Sequence, residues 1–338
     1  MEPCSQTLFG TLQSGREAQL FTLRNNRGMQ LRITNYGAAV VGLTAPDKNG
    51  VFTDVVLGYD NLAEYEQQTV YAGVICGRVA NRIGGAAFEL NGRCYPLAKN
   101  DGQNHIHGGL QGFGKKLWAA RPVEPPAPGI ELTYRSPDGE EGYPGNLTAR
   151  VTYTLDDTNS LHIHCWAQSD ADTIVNLTNH CYFNLAGHDA GSVLDHQMRV
   201  LADRYAAIDP HSLPTGELAP VEGTPLDFRE FHTLGQRIGQ KHPQLQNASG
   251  YDHCYLMQNR DKEPVLAAEA IHPQTGRRLR AYTNKPGLQL YTGNFLGGQP
   301  GKGGCTYQKY GGFCLEAQDI PNAMLHPHFP SPVLRAGD

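Results

Sequence analysis

This chain lacks any pair of cysteines close enough in sequence to form a C-x-x-C motif. The eight cysteines lie at positions 4, 76, 94, 165, 181, 254, 305 and 314, so that the closest pair, Cys305 and Cys314, is nine residues apart. A zinc or redox motif of that kind is therefore excluded. Dispersed cysteines without a basic and apolar leader at the N-terminus predict reduced thiols and a cytoplasmic protein.

Long apolar runs and an excess of positive charge are also missing. No apolar run approaches the roughly 18 residues of a membrane-spanning helix. The chain has 28 Lys and Arg against 33 Asp and Glu, which gives a net charge of -5 with histidine neutral. Neither nucleic acid nor a membrane is therefore an expected partner.

The sequence does have many glycines and prolines, 39 and 22 among 338 residues, and they separate short apolar runs. Segments 30–34, 161–166 and 288–291 alternate between apolar and polar residues, as strands do. Turn residues follow at 47–50, 91–92, 136–139 and 156–157. Helices are expected to be few and short, such as those at 61–68 and 231–240, and 122–128 is expected to be a loop. These patterns predict a single all-β domain over 1–338, either a large sandwich or a barrel.

Several apparent motifs fail on inspection. Residues 109–115 match G-x-x-x-x-G-K, but Lys116 stands where a phosphate-binding loop has Ser or Thr, and no apolar strand precedes it. The pairs His105/His107 and His162/His164 are not followed by a carboxylate that would complete a metal site. We expect His162 and His164 to lie on the outer face of a strand. The G-x-S-x-G motif of many hydrolases is absent.

The most informative segment runs from 176 to 185. If it is a strand, its side chains alternate between two faces. Leu177, Cys181, Phe183 and Leu185 form an apolar face, with Asn179 as a polar exception. The other face carries amides, a hydroxyl, a phenol and an imidazole that suit a small polyhydroxylated ligand: Asn176, Thr178, His180, Tyr182 and Asn184. A solvated strand face is the alternative.

Four other segments supply matching polar residues. Glycines flank Arg78, Asn81 and Arg82 in 77–84, and a histidine precedes a glycine turn in 104–109. Asp252 precedes a strand in 250–254. In 312–321, Glu316 interrupts an apolar strand, which is costly unless the carboxylate is paired or functional.

These motifs, in this order, resemble the aldose 1-epimerase (galactose mutarotase) family, and the resemblance extends from about Leu20 to the C-terminus. It implies a large antiparallel β-supersandwich with few short helices and an open sugar cleft. His180 then matches the general acid and Glu316 the general base. The remaining matches are sugar-binding positions: Asn81, Arg82, His107, Asp252 and Gln289. The sequence departs from the family at Cys181, Ala317, Met324 and Leu325.

The implied activity is interconversion of the α and β anomers of free aldohexoses, galactose or glucose, by acid–base ring opening, rotation about C1–C2 and reclosure. The expected partner is a small sugar, with no metal or cofactor, on a monomer or homodimer. Three alternatives stay open at this point. They are a hexose-6-phosphate 1-epimerase, a non-catalytic sugar-binding protein, and a glycosidase that uses Asp252 and Glu316.

Overall fold

Strands make up most of the regular structure. The computed structural model describes residues 4–123, 128–258 and 263–338. In chain order the first strands are β1 Cys4–Thr11, β2 Glu17–Arg24, β3 Gln30–Thr34, β4 Ala39–Pro46, β5 Phe52–Asp54, β6 Ile75–Cys76, β7 Arg82–Ile83, β8 Ala87–Leu90, β9 Arg93–Pro96 and β10 His105–Ile106. Next are β11 Ala119–Val123, β12 Gly129–Ser136, β13 Leu147–Leu155, β14 Leu161–Ser169, β15 Thr173–Ile174, β16 Thr178–Asn179, β17 Gln197–Val200, β18 Arg204–Ile208, β19 Pro214–Pro220 and β20 His232–Thr233. The last are β21 Asp252–Leu256, β22 Val265–Ile271, β23 Arg278–Thr283, β24 Gly287–Tyr291, β25 Gln299–Pro300, β26 Thr306–Tyr307, β27 Cys314–Gln318 and β28 Val333–Leu334. Within the described residues there are two α-helices, α1 Leu62–Gln67 and α2 Pro243–Ala248.

Four larger antiparallel sheets carry the fold. Their strand orders are β1-β2-β3-β4-β5, β11-β12-β13-β14, β19-β18-β21-β24-β27 and β20-β17-β22-β23. Five two-stranded pairs, β10-β7, β15-β28, β16-β6, β25-β26 and β8-β9, lie beside them. The all-β prediction is confirmed.

Alternating burial explains how the sheets pack. Along β13 every second residue is buried. These side chains meet buried residues of β2, β3 and β4 in a first core that includes Leu23, Ile33 and Val151. A second core, which includes Met198, Tyr255 and Leu290, contains side chains of the sheets that hold β17 and β21. Apolar side chains of different sheets pack against each other because each strand directs one of its faces into the core.

Several local predictions are confirmed. Strand β3 occupies 30–34, and the other two alternating segments lie in β14 and β24. Helix α1 begins after Asn61, whose side chain accepts a hydrogen bond from the Glu64 amide as an N-cap. His162 and His164 are exposed on β14, as expected. The loop expected at 122–128 lies partly outside the described residues.

Two predictions are wrong. Segment 231–240 contains β20 and a 3-10 turn at Leu234–Gln236 instead of an α-helix. Segment 176–185 is a strand only at Thr178–Asn179. Beyond it the backbone bonds to different partners in turn, because the His180 amide donates to Val74 and the Phe183 amide to Phe313.

In the described part of the chain, no helix is long and apolar enough to cross a membrane. The eight cysteines form no disulfide.

One buried lysine ties the first sheet to the C-terminal half of the chain. Lys302 is 3% exposed, and its Nζ donates to Asp54 Oδ2 at 2.7 Å, Val41 O at 2.9 Å and Val56 O at 2.7 Å. The ammonium is therefore fully paired, which a buried charge requires.

Replacing Lys302 by methionine should destabilise the fold strongly. The variant leaves Asp54 and two carbonyl groups without this donor, and breaking a buried pair costs about 3–5 kcal/mol. Urea unfolding followed by tryptophan fluorescence measures the loss. Arg121→Met is the matched control, because Arg121 also pairs with a carboxylate but its side chain is 71% exposed, and it should change stability far less. Equal losses in both variants would contradict this interpretation.

Candidate active site

Three adjacent strands place the polar residues of the candidate site on one face. In the register of β21, β24 and β27, Cys254 lies opposite Gln289, and Gln289 lies opposite Glu316. Directly opposite residues share a face of an antiparallel sheet. Asp252 is two residues from Cys254 and therefore lies on this face too. On the other face of β27, Leu315 and Ala317 pack against the second core.

His180 lies over this face, close to Glu316. Its Nε2 is 3.7 Å from Glu316 Oε1, and the two residues are only 4% and 2% exposed. The rings of His107, Tyr182 and Tyr291 surround the imidazole, with centroids 5.3, 5.0 and 6.2 Å away. The structure thus brings together the two residues that the sequence predicts as acid and base.

Burial shifts both groups towards their neutral forms. It raises the pKa of Glu316 well above its usual value, and nearby Asp252 raises it further while Arg82 lowers it. Burial also lowers the pKa of His180 to about 4, against a smaller opposite effect of its own carbonyl. The carboxylate is therefore a stronger base, and the imidazolium a stronger acid, than either is in water.

Arg82 connects two carboxylates beside this pair. Its Nε donates to Asp101 Oδ2 at 2.7 Å, and one of its terminal nitrogens is 3.9 Å from Asp252 Oδ2. Asp252 Oδ1 accepts a hydrogen bond from Gln289 Nε2 at 2.6 Å, and Gln318 donates to Gln289 Oε1 at 3.1 Å. Despite this, burial raises the pKa of Asp252 above its usual value. Polar groups with fixed orientations therefore line the site.

His107 is held as a neutral hydrogen-bond donor. The backbone N–H of Asn81 donates to its Nδ1 at 3.3 Å, so the proton of the neutral ring must be on Nε2. Burial and the neighbouring His180 lower the pKa of His107 well below its usual value. Asn81 and His107 both have left-handed backbone conformations, with φ of 60° and 50°. Asn81 Oδ1 accepts from the Arg82 amide at 2.8 Å, which orders the turn.

Other polar residues of the predicted motifs have structural contacts. Arg78 is buried, and its guanidinium donates to the carbonyl groups of Pro144 and Gly145 and to Ser136 Oγ. His105 bonds to Ala98 O and to the Tyr143 hydroxyl. Asn184 donates to the carbonyl groups of Gly191 and Gly311, so it does not belong to the ligand-binding face that the sequence predicts.

Three residues at the site were missed in the sequence. The Tyr71 ring contacts the His107 ring at a tilt of 50°, with centroids 4.4 Å apart, and its φ of 58° is unusual for a tyrosine. Asp101 pairs with Arg82, and Cys314 Sγ is 3.6 Å from His180 Nδ1. Cys314 could have been found from its alternation with Glu316, whereas no local pattern marks Tyr71 or Asp101.

Two groups of side chains bring potential metal-binding atoms within 4.8 Å of one another. The first group is His180, Cys314 and Glu316, and the second is Asp195, His196 and His272. In the second group, His196 Nε2 accepts from the Leu185 amide at 3.0 Å and its Nδ1 is 2.9 Å from Asp195. Both ring nitrogens are thus already used. In the first group the closest contacts of Cys314 and Glu316 are to different nitrogens of His180.

Comparison with known proteins identifies the family. The family model described as aldose 1-epimerase matches residues 19–338. The chain belongs to the aldose 1-epimerase family. Galactose mutarotase of Sus scrofa is 44% identical over 340 residues, which cover 100% of this chain and 96% of that protein. Aldose 1-epimerase of Escherichia coli (strain K12) is 35% identical over 326 residues, which cover 96% of this chain and 93% of that protein.

Solved structures of this family confirm the predicted fold. Galactose 1-epimerase from Lactobacillus acidophilus NCFM has a TM-score of 0.85 at 29% identity and covers 98% of this chain and 94% of its own. The GalM/aldose epimerase homologue from C. elegans has a TM-score of 0.87 at 29% identity and covers 95% of each chain. The large antiparallel sandwich that the resemblance to aldose 1-epimerases implies is therefore correct.

The site geometry predicts an unusual titration for Glu316. Because burial and Asp252 both favour the protonated form, this carboxyl group should keep its proton well above the pH at which exposed glutamates lose theirs. Carboxyl-selective ¹³C NMR of glutamate-labelled protein, assigned with Glu316→Gln, measures the titration. Asp252→Asn should lower the pKa of Glu316, because it removes the neighbouring negative charge. A Glu316 pKa in the usual range in wild type, or a higher Glu316 pKa in Asp252→Asn, would contradict this prediction.

Proposed function

We propose that this chain is an aldose 1-epimerase, an isomerase that interconverts the α and β anomers of free aldohexoses such as galactose and glucose. The observation that carries the proposal is the buried pair of His180 and Glu316 at 3.7 Å. The hydroxyl oxygen and the ring oxygen of the sugar are both bonded to C1. Two groups that serve these neighbouring atoms must themselves lie close together.

In the proposed reaction Glu316 is the base and His180 the acid. Glu316 takes the proton from the C1 hydroxyl while C1 forms a double bond to that oxygen. The bond between C1 and the ring oxygen breaks, and that oxygen takes a proton from His180 Nε2. Rotation about C1–C2 turns the other face of the aldehyde to the ring hydroxyl, and the same steps in reverse close the ring. Each positioned proton transfer contributes roughly 10²–10⁴ in rate.

One proton shared by the pair is sufficient for this cycle. Burial favours the form with Glu316 protonated and His180 neutral. Moving that single proton from carboxyl to imidazole gives the carboxylate and imidazolium that start the reaction. The two forms have the same total charge, so the change between them requires no proton from solvent.

The remaining predicted residues are proposed to bind the sugar. Glu316 Oε2 is buried without a hydrogen-bond partner in the described residues, which suits a hydroxyl donor from the substrate. His107 offers its Nε2 hydrogen. Asp252, Gln289 and Arg82 offer acceptors and donors whose orientations are already fixed, and Asn81 orients His107. Pre-oriented groups lose little freedom when a ligand binds.

The charges around the site favour a neutral sugar over a phosphosugar. Arg82 is committed to Asp101 and Asp252, and Arg78 is committed to carbonyl groups. A phosphate would therefore meet carboxylates instead of an available guanidinium. A non-catalytic sugar-binding protein would not require the acid–base pair, and a glycosidase would require Asp252 to act as a catalytic carboxylate although it bonds to Gln289.

We also propose that residues 1–338 form one domain, and that the protein acts in the cytoplasm as a monomer or homodimer. The described cysteines form no disulfide, which supports a reducing compartment.

Polarimetry of freshly dissolved α-D-galactose and α-D-glucose tests the activity. Wild type should accelerate the decay of optical rotation far beyond the buffer rate. Glu316→Gln and His180→Asn should each lose at least about 10²-fold in kcat, because each removes one proton-transfer group. His162→Asn is the matched control, since His162 is exposed on β14, and it should retain wild-type activity.

Parallel assays separate the alternatives. A wild-type rate equal to the buffer rate, with galactose still bound, would leave the binding-protein interpretation. Selective acceleration of galactose 6-phosphate would favour the phosphosugar enzyme, and release of nitrophenol from a nitrophenyl galactoside would favour a glycosidase.

A further inference from the structure

Cys314 contacts Nδ1 of His180, whereas Glu316 pairs with the other ring nitrogen, Nε2. Cys314 is 0% exposed and lies two residues before Glu316, on the same face of β27. Its Sγ is 3.6 Å from His180 Nδ1, within the range of a hydrogen bond that involves sulfur. Nε2 of the same ring is 3.7 Å from Glu316 Oε1. One face of one strand therefore supplies a neighbour to each imidazole nitrogen.

We propose that Cys314 is a positioning residue, whose sulfur accepts a hydrogen bond from His180 Nδ1 and so keeps Nε2 as the nitrogen that exchanges protons with the sugar. This inference rests on the proposed aldose 1-epimerase function. Cys314 itself does not react.

The two proton transfers at His180 Nε2 require an acceptor at Nδ1. When the imidazolium gives its Nε2 proton to the sugar's ring oxygen, the ring becomes neutral and must keep its hydrogen on Nδ1. The opposite tautomer carries its only hydrogen on Nε2 and cannot act as base at that nitrogen in the reverse step. The group bonded to the second nitrogen generally fixes the tautomer of a functional histidine.

The other side chains close to the ring do not select a tautomer in this way, although the backbone carbonyl of His180 itself also interacts with the ring. His107, Tyr182 and Tyr291 meet it ring to ring, which fixes the plane of the imidazole. The Tyr182 hydroxyl donates elsewhere, to Val70 O at 2.8 Å. Cys314 Sγ, in contrast, lies at the nitrogen itself.

A thiol suits this position better than a carboxylate. A carboxylate at Nδ1 would stabilise the imidazolium and make it a weaker acid. Burial and the nearby Glu316 raise the pKa of Cys314 well above its usual value, so its sulfur is uncharged. A neutral, weakly accepting sulfur orients the ring while leaving its Nε2 proton easy to transfer.

Steady-state polarimetry of Cys314→Ala and Cys314→Ser tests the proposal. Loss of a group that orients a metal-binding histidine typically reduces activity by about 10–100-fold, and we expect a loss of the same order here. Cys314→Ala should lose this much in kcat with little change in KM, because the thiol does not bind the sugar. Cys314→Ser keeps an acceptor and should recover most of the activity. Cys181→Ala is the matched control, since Cys181 is 3% exposed but packs in the first core, and it should match wild type.

Nitrogen NMR of ¹⁵N-histidine protein gives a readout that does not depend on activity. His180 signals, identified by their loss in His180→Asn, should report hydrogen on Nδ1 in wild type and in Cys314→Ser. In Cys314→Ala they should move towards a mixture of tautomers. Unchanged kcat and an unchanged tautomer in a folded Cys314→Ala would overturn the inference, as would Cys314→Ser behaving like Cys314→Ala. An inactive wild type would instead refute the proposed function. The NMR measurement would then still show whether Cys314 fixes the tautomer of His180.

Discussion

The register of β27 is the constraint on which the site depends. Leu315 and Ala317 pack against the second core, and this fixes Cys314, Glu316 and Gln318 on the opposite face. A slip by one residue would exchange the two faces, burying Glu316 among apolar side chains. The neighbouring strand β24 carries Gln289 directly opposite Glu316. Apolar packing on one side of the sheet is thus what holds the polar groups in place on the other.

The charges of the site balance only in part, and this suits the proposed chemistry. Arg82 is shared between Asp101 and Asp252, so it compensates Glu316 only weakly. Burial raises the pKa of both Glu316 and Asp252, and Arg82 offsets this only in part. A fully paired Glu316 would be a poor base, whereas an isolated buried carboxylate would be very costly to form. The carboxyl group can avoid that cost because His180, which is close by, can receive its proton.

Local sequence patterns predict features that depend on neighbouring residues, such as strand faces and the short helix α1. They do not predict features that depend on contacts with distant parts of the chain. Alternation indicates Glu316 and Gln289 as polar residues on otherwise apolar strands, and the helix expected at 61–68 is present as α1 Leu62–Gln67. The prediction of a helix at 231–240 is wrong because the local pattern carries no information on the pairing of β20 with β17. His180 and Cys314 are 134 residues apart, so no local signal predicts their contact. The roles of His180 and Glu316 followed from family resemblance rather than from periodicity.

Backbone strain around the pair points to a rigid site. Tyr71, Asn81 and His107 all have left-handed conformations, which cost about 1–3 kcal/mol each for residues other than glycine. Mutual contacts hold them there, because the His107 amide donates to Asn81 O and the Tyr71 ring packs against the His107 ring. Ring opening moves charge between two oxygens of the sugar, and groups already fixed around those atoms need not reorganise as it moves. The strain thus contributes to a preorganised site, at the expense of stability elsewhere in the fold.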